Sequence, residues 1–140
     1  MAGYSGTPLW KKLGYKVGLR AYLDGAPDDY VQLLELPHDV QVLWLGKKES
    51  NMPFVHLFER NARALRAKLD SYRKKIAADG VIWVSWPEKS SGVPTDISEE
   101  TVRESALLLG LVDIKVCAVD EVWSALKLVI RRENRRQIPQ

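Results

Sequence analysis

The sequence predicts a three-layer α/β fold, in which a mostly parallel sheet of about six strands is closed near its C-terminal end by an antiparallel pair. Three observations carry that prediction. Short apolar runs alternate with helix-period segments along most of the chain. The run Val81-Ile82-Trp83-Val84-Ser85-Trp86 is apolar on both faces, as a central strand covered by helices on both sides must be. Finally, residues 114–118 and 126–130 alternate with period two, and the link between them suffices only for a hairpin.

The elements follow in order. After a polar lead, Thr7 is suited to cap a short helix, with Pro8 at its first position and Gly14 at its stop. Leu9, Trp10 and Leu13 form its apolar stripe, and Trp10 reads as an anchor on the core. A first strand over 19–23 halts at Asp24-Gly25-Ala26-Pro27. The next helix places Asp28 and Asp29 in its first turn, where the macrodipole favours acids, and ends near Leu36-Pro37. Val40-Gln41-Val42-Leu43-Trp44-Leu45 reads as the second strand and Phe54-Val55-His56-Leu57-Phe58 as the third. Ala62, Leu65, Leu69, Tyr72 and Ile76 step by three and four, which predicts a helix with one buried face that lasts until Asp79-Gly80. The fourth strand, 81–86, stops at Pro87. Beyond the loop 88–96, Ser98 suits an N-cap, Glu99 and Glu100 fill the first turn, Ile97 and Val102 suit a hydrophobic staple, and Gly110 closes the helix. In the last two strands Ile114, Val116 and Ala118 alternate with Lys115 and Cys117, and Leu126, Leu128 and Ile130 with Lys127 and Val129, which predicts half-exposed strands.

Composition narrows the function. The 140 residues are 46% hydrophobic and 28% charged, which fits one α/β domain over 1–133 and a basic, polar tail over 134–140. No apolar run approaches the roughly 18 residues of a membrane span. No basic segment followed by an apolar stretch opens the chain, so a cytoplasmic protein with no membrane role is expected. The one cysteine, Cys117, excludes an internal disulfide and a multi-thiolate zinc site. The net charge of +3 resides in residues 131–136, and elsewhere 17 basic residues balance 17 acidic ones. Arg60, Arg63, Arg66, Lys68, Arg73, Lys74 and Lys75 give the third helix a basic outer face against the single acid Asp70. Because the arginine stretch has no interleaved aromatics for stacking, nucleic acid is not the expected partner.

Tyr4-Ser5-Gly6-Thr7-Pro8-Leu9, the stretch Trp83-Val84-Ser85-Trp86-Pro87 with Lys89-Ser90-Ser91-Gly92 and Thr95-Asp96, and the block from Gly110-Leu111-Val112-Asp113 to Trp123 resemble the bacterial family called domain of unknown function 3052. The resemblance covers nearly the whole chain. It implies a small bacterial cytosolic protein and brings no catalytic residues. A more distant resemblance is to the class I methyltransferases that use S-adenosylmethionine, whose Rossmann-like sheet also ends in a glycine-led strand, a helix and a reversed hairpin, as over 80–131 here. It implies the strand order 2-1-3-4-6-5 with the last strand antiparallel; architecture alone does not fix function.

The residues themselves argue against a cofactor. A dinucleotide or adenosyl group needs a glycine-rich turn after the first strand, yet Leu23-Asp24-Gly25-Ala26-Pro27-Asp28 has one glycine and a proline. Gly46-Lys47-Lys48 stands where an acid would bind ribose hydroxyls, and Asp28 and Asp29 would repel a phosphate. Ser85 lacks a Gly-x-Ser-x-Gly elbow. His38 belongs to a loop, His56 reads as a hydrogen-bonded core histidine and Cys117 as a small hydrophobe, so no catalytic or metal-binding residue is assigned.

Ligands of open α/β sheets lie outside the carboxyl ends of the strands, where the strand order reverses. That edge gathers Asp24, Gly25, Ala26, Pro27, Glu59, Ser85, Trp86, Lys89, Ser90 and Ser91 as candidate ligand-binding residues. Lys89-Ser90-Ser91-Gly92 offers a cation, hydroxyls and flexible backbone to an anion such as phosphate. The expected function is a non-catalytic ligand-binding or regulatory module on a degenerate methyltransferase-like fold. Its partner would be a small anionic ligand or a protein, a second copy included. The alternatives are a divergent S-adenosylmethionine-dependent methyltransferase and a nucleic-acid-binding protein acting through the basic helix and the arginine tail.

Overall fold

The computed structural model describes residues 6–135; residues 1–5 of the expected lead and 136–140 of the expected tail lie outside it. The chain runs α1 (Leu9–Leu13), β1 (Arg20–Asp24), α2 (Tyr30–Leu34), β2 (Leu43–Trp44), β3 (Met52–Phe58), α3 (Ala62–Arg73), β4 (Ile76–Pro87), α4 (Glu99–Leu108), β5 (Leu111–Ala118) and β6 (Trp123–Ile130). The six strands form one sheet in the order β2-β1-β3-β4-β6-β5. The strands β2, β1, β3 and β4 pair in parallel, while β6 is antiparallel to β4 on one side and β5 on the other. This is the order that the methyltransferase resemblance implied.

Alternation along the strands builds two cores. On one face Val55, Leu57, Ile82, Val84 and Leu126 meet Leu65, Leu69 and Tyr72 of α3 and Val102 and Ala106 of α4. On the other, Phe54, Phe58, Trp83 and Ala125 meet Leu9 and Leu13 of α1 and Tyr30 and Leu34 of α2. Three layers result, with helices on both sides of the sheet. Among the described residues no helix is long and apolar enough to cross a membrane.

Several local expectations change. Pro8, not Thr7, occupies the N-cap of α1, and its carbonyl accepts from the backbone of Lys11 and Lys12. Asp29 stands at the N-cap position of α2 without a side-chain cap bond and Asp28 precedes it, so neither acid lies in the first turn. The second strand shrinks to Leu43–Trp44, both exposed, because it is the sheet margin and has β1 alone to pair with. Helix α3 ends at Arg73; Ile76 opens β4, which continues through Asp79-Gly80. A break in register absorbs the difference, since Met52 pairs with Ile76 but Phe54 with Val81.

The closing pair also faces differently. A register shift between Asp113 and Lys115 turns Ile114 and Val116 outward, each 52% exposed, while Cys117 is buried. Strand β6 is not half-exposed. It lies between β4 and β5 and is buried at Ser124–Leu126 and Leu128–Ile130. The start of α4 follows the sequence closely: Ser98 Oγ accepts from Thr101 N–H, Thr101 Oγ1 accepts from Ser98 N–H, and Ile97 and Val102 are buried together.

Candidate functional site

The candidate residues fall into three separate places. At the ends of β1 and β3, Gly25 follows Asp24 with φ of +76°, and a Cβ there would stand 2.7 Å from the Phe58 carbonyl oxygen. The positive φ and the close backbone approach both demand glycine. Gly25→Ala is expected to lower the unfolding free energy by about 2 kcal/mol or more, measured by urea denaturation; an unchanged midpoint would disprove the tight fit.

Beside it, the side chains bind one another. Asp24 accepts a 2.6 Å hydrogen bond from the Tyr72 hydroxyl. Lys68 bridges Asp24 at 3.5 Å and Glu59 at 3.0 Å. Glu59 also accepts from the backbone N–H groups of Arg60 and Asn61. Burial pushes the Glu59 carboxyl up, but Lys68 and those two N–H groups together bring it below the usual carboxylate range. The bond to Glu59 raises the Lys68 ammonium, against its partial burial and with help from Asp24. Burial raises the Tyr72 hydroxyl, and the Asp24 carboxylate raises it further. Lys68, which the sequence places on the basic outer face of α3, stands four residues before Tyr72, and that spacing lets both reach one carboxylate. Arg73 donates to the Leu109 carbonyl and Lys74 pairs with Asp70, so that face is partly engaged within the molecule.

Ser85 lies elsewhere, on the α1–α2 side of the sheet. A chain of hydrogen bonds runs from Tyr15 to Tyr30 at 2.8 Å, from the Tyr30 hydroxyl to His56 Nδ1 at 2.7 Å, and from His56 Nε2 to Ser85 Oγ at 2.7 Å. All four residues are buried. Desolvation pushes the His56 imidazole down to about 3, so it is neutral at physiological pH. The two expectations for these residues, a hydrogen-bonded His56 and a Ser85 at the ligand edge, therefore meet in one sealed network. His38 is exposed in its loop, and burial raises the Cys117 thiol although Lys12 and Lys115 oppose it. Among the described residues no group of three or more His, Cys, Asp or Glu side chains is placed to hold a metal.

The third place is open. At the carboxyl end of β4, on the α3–α4 side, a cleft of about 420 Å³ is lined by Trp86, Glu88, Lys89, Thr95, Asp96, Ile97, Ser98, Glu99, Val116 and Ser124. Of the ten candidates it contains Trp86 and Lys89. Ser91 shapes the loop instead: its hydroxyl donates to the Glu88 carbonyl and accepts from Val93 N–H. The loop is pinned to the start of α3, because Asp96 Oδ1 accepts from Ala62 N–H and Thr95 Oγ1 donates to the Arg60 carbonyl. Val116 and Ser124 enter from β5 and β6, far along the chain, and no local pattern marks them.

The strand order with its reversed β6, and an open cleft at the carboxyl edge, define a Rossmann-like α/β protein of the methyltransferase architecture. The family described as protein of unknown function (DUF3052) matches residues 38–132, and the chain belongs to it. No curated protein matches. Among solved structures, the O-methyltransferase NcsB1 from neocarzinostatin biosynthesis, in complex with S-adenosylmethionine and 2-hydroxy-5-methyl naphthoic acid, has a TM-score of 0.61 at 14% identity, covering 91% of this chain and 53% of that one. A SAM dependent methyltransferase from Aquifex aeolicus gives 0.57 at 13% identity, covering 86% and 87%. Magnesium protoporphyrin IX methyltransferase (ChlM) from Synechocystis PCC 6803, with bound SAM, gives 0.57 at 9% identity, covering 87% and 74%. The chain spans about half the length of the larger neighbours, 47% of LepI and 53% of NcsB1. At such identities the likeness is one of fold.

Proposed function

We propose that this protein is a binding module on a methyltransferase-like frame, taking a small ligand at the carboxyl end of β4 without chemistry of its own. The observation that carries the reading is the division of the sheet's carboxyl edge. At β1 and β3 the polar side chains are occupied with one another through Lys68, whereas at β4 a cleft remains open. NcsB1 and ChlM were solved with S-adenosylmethionine. Holding such a cofactor calls for a turn whose glycines let the backbone come close. Here the one glycine already rests against the Phe58 carbonyl, and Asp24 is bonded to Tyr72 and Lys68. The His56–Ser85 pair has the spacing of a base and a nucleophile, but neither residue is reached by solvent, so no substrate could meet it.

Calorimetric and thermal-shift titrations with S-adenosylmethionine and S-adenosylhomocysteine test this directly. We expect no saturable heat and no rise in Tm at millimolar concentration. Saturable binding accompanied by methyl transfer to any acceptor would replace this reading with that of a divergent methyltransferase.

A further inference from the structure

We infer that the β4 cleft selects a small organic cation with an apolar body, an amine or amidine, over an anion. The inference rests on the reading of that cleft as the ligand site and adds the chemistry of what enters it. Its starting point is Ser124. This residue is 7% exposed near the start of β6, opposite Trp86, and among the described residues its hydroxyl has no hydrogen-bond partner. Among the described residues no side-chain nitrogen or oxygen sealed from solvent lacks a partner. The Ser124 hydroxyl must therefore be reached from the cleft it lines. Its oxygen is thus open to the cleft alone, where water bonds it until a guest with a polar atom takes that place.

The charges around it set the sign of that guest. Glu88, Asp96 and Glu99 face the cleft against one ammonium, Lys89. Glu99 is paired with Arg103, and one Asp96 oxygen is on the Ala62 N–H. Among the described residues the Glu88 carboxylate has no partner, nor has the second oxygen of Asp96. An anion finds little here. The first turn of α4 is closed by the reciprocal bonds of Ser98 and Thr101, and Glu99 and Glu100 already answer its dipole. Trp86, Ile97 and Val116 supply apolar wall for a ring or short hydrocarbon, and the volume is that of a small-molecule site. A ligand with its apolar body beside Trp86 and Val116, its cationic head toward Glu88 and Asp96, and one polar atom within reach of Ser124 satisfies those three polar groups and leaves the exposed Lys89 ammonium to water.

Tryptamine, indole and indole-3-acetate share one ring and differ in charge, so they serve as probes. Titrating each into the ¹⁵N-labelled full chain, we expect tryptamine to move the Trp86 indole, Ile97 and Ser124 resonances saturably and indole-3-acetate to leave them in place. Glu88→Gln should weaken tryptamine roughly tenfold, as loss of a charge-assisted bond does. Glu104→Gln on the exposed face of α4 should leave its affinity unchanged, and matching unfolding midpoints will show that both variants fold. Tighter binding of indole-3-acetate at those resonances would overturn the inference in favour of the anion expected from Lys89-Ser90-Ser91. Silence from all three probes would overturn the cleft as the site, and indifference to Glu88→Gln would overturn the role of the carboxylates. Saturation by S-adenosylmethionine around Gly25, with tryptamine still seated at Trp86, would remove the non-catalytic reading and leave the cation site standing.

Discussion

Trp83→Ala will lower the unfolding free energy by about 4 kcal/mol, a large share of the roughly 5–15 kcal/mol that holds a domain together. Trp83 is fully buried on the central strand β4, so truncation removes an indole from close packing and leaves a cavity. It also takes away a bond that crosses layers: the indole Nε1–H donates to the Leu13 carbonyl at 2.8 Å. Helix α1 has five residues, too few to persist by its own hydrogen bonds, and depends on that anchor and on the burial of Leu9 and Leu13. Trp83→Phe, which keeps much of the volume but not the donor, should cost less overall yet still expose α1 to hydrogen exchange. Urea unfolding measures the first effect and amide exchange at Leu13 and Gly14 the second. A midpoint unmoved by Trp83→Ala would show that the two layers are not joined there.

The second large effect is on pH. The His56 imidazole sits at about 3 in the folded chain because burial disfavours its charged form, against an ordinary value near 6.5 once unfolded. Below the unfolded value, the unfolded state binds a proton that the folded state refuses. This contribution is therefore complete above about pH 6.5 and drains away as the pH falls toward 3, at up to about 1.4 kcal/mol per pH unit. Glu59, held below its usual range, acts in the same direction at the acid end. Comparing urea midpoints across that range for the native chain and for His56→Leu separates the two. The variant should lose about 3 kcal/mol at neutral pH, since the Tyr30 and Ser85 hydroxyls lose their shared partner, but its pH slope should be shallower. Parallel slopes for both chains would assign the acid sensitivity to the carboxylates alone.

How far the sequence reveals all this depends on the distance over which each feature is decided. The Ser98 cap and the Ile97–Val102 staple are local, set by residues within one turn, and the fold keeps them as read. The strand order came from a likeness of the chain's end to a known architecture, and the structure has that order. Ile76 mimics a helix residue because a strand residue four positions after Tyr72 satisfies the helical period equally well; the chain has turned by Lys75, whose N–H reaches the Tyr72 carbonyl. The facing of β5 escapes its own alternation because one shifted residue, Ile114, reverses the pattern after it, and the shift is visible only against β6. At the site, Trp86 and Lys89 come from the strand end and loop that sequence reasoning selected. Ser124 and Val116 come from the far end of the chain, through pairing that no short window encodes.

The position of β6 has a consequence for how the molecule is made. It follows every other strand along the chain, yet its place is between β4 and β5. While the polypeptide is still being synthesised, β4 has β3 alone to pair with and β5 has no neighbour, so rows of peptide groups stand unpaired, and a helper that shields such edges would act in that interval. Nascent chains stalled before Trp123 should accordingly be open to proteases along β4, and those extended past Ile130 should resist them.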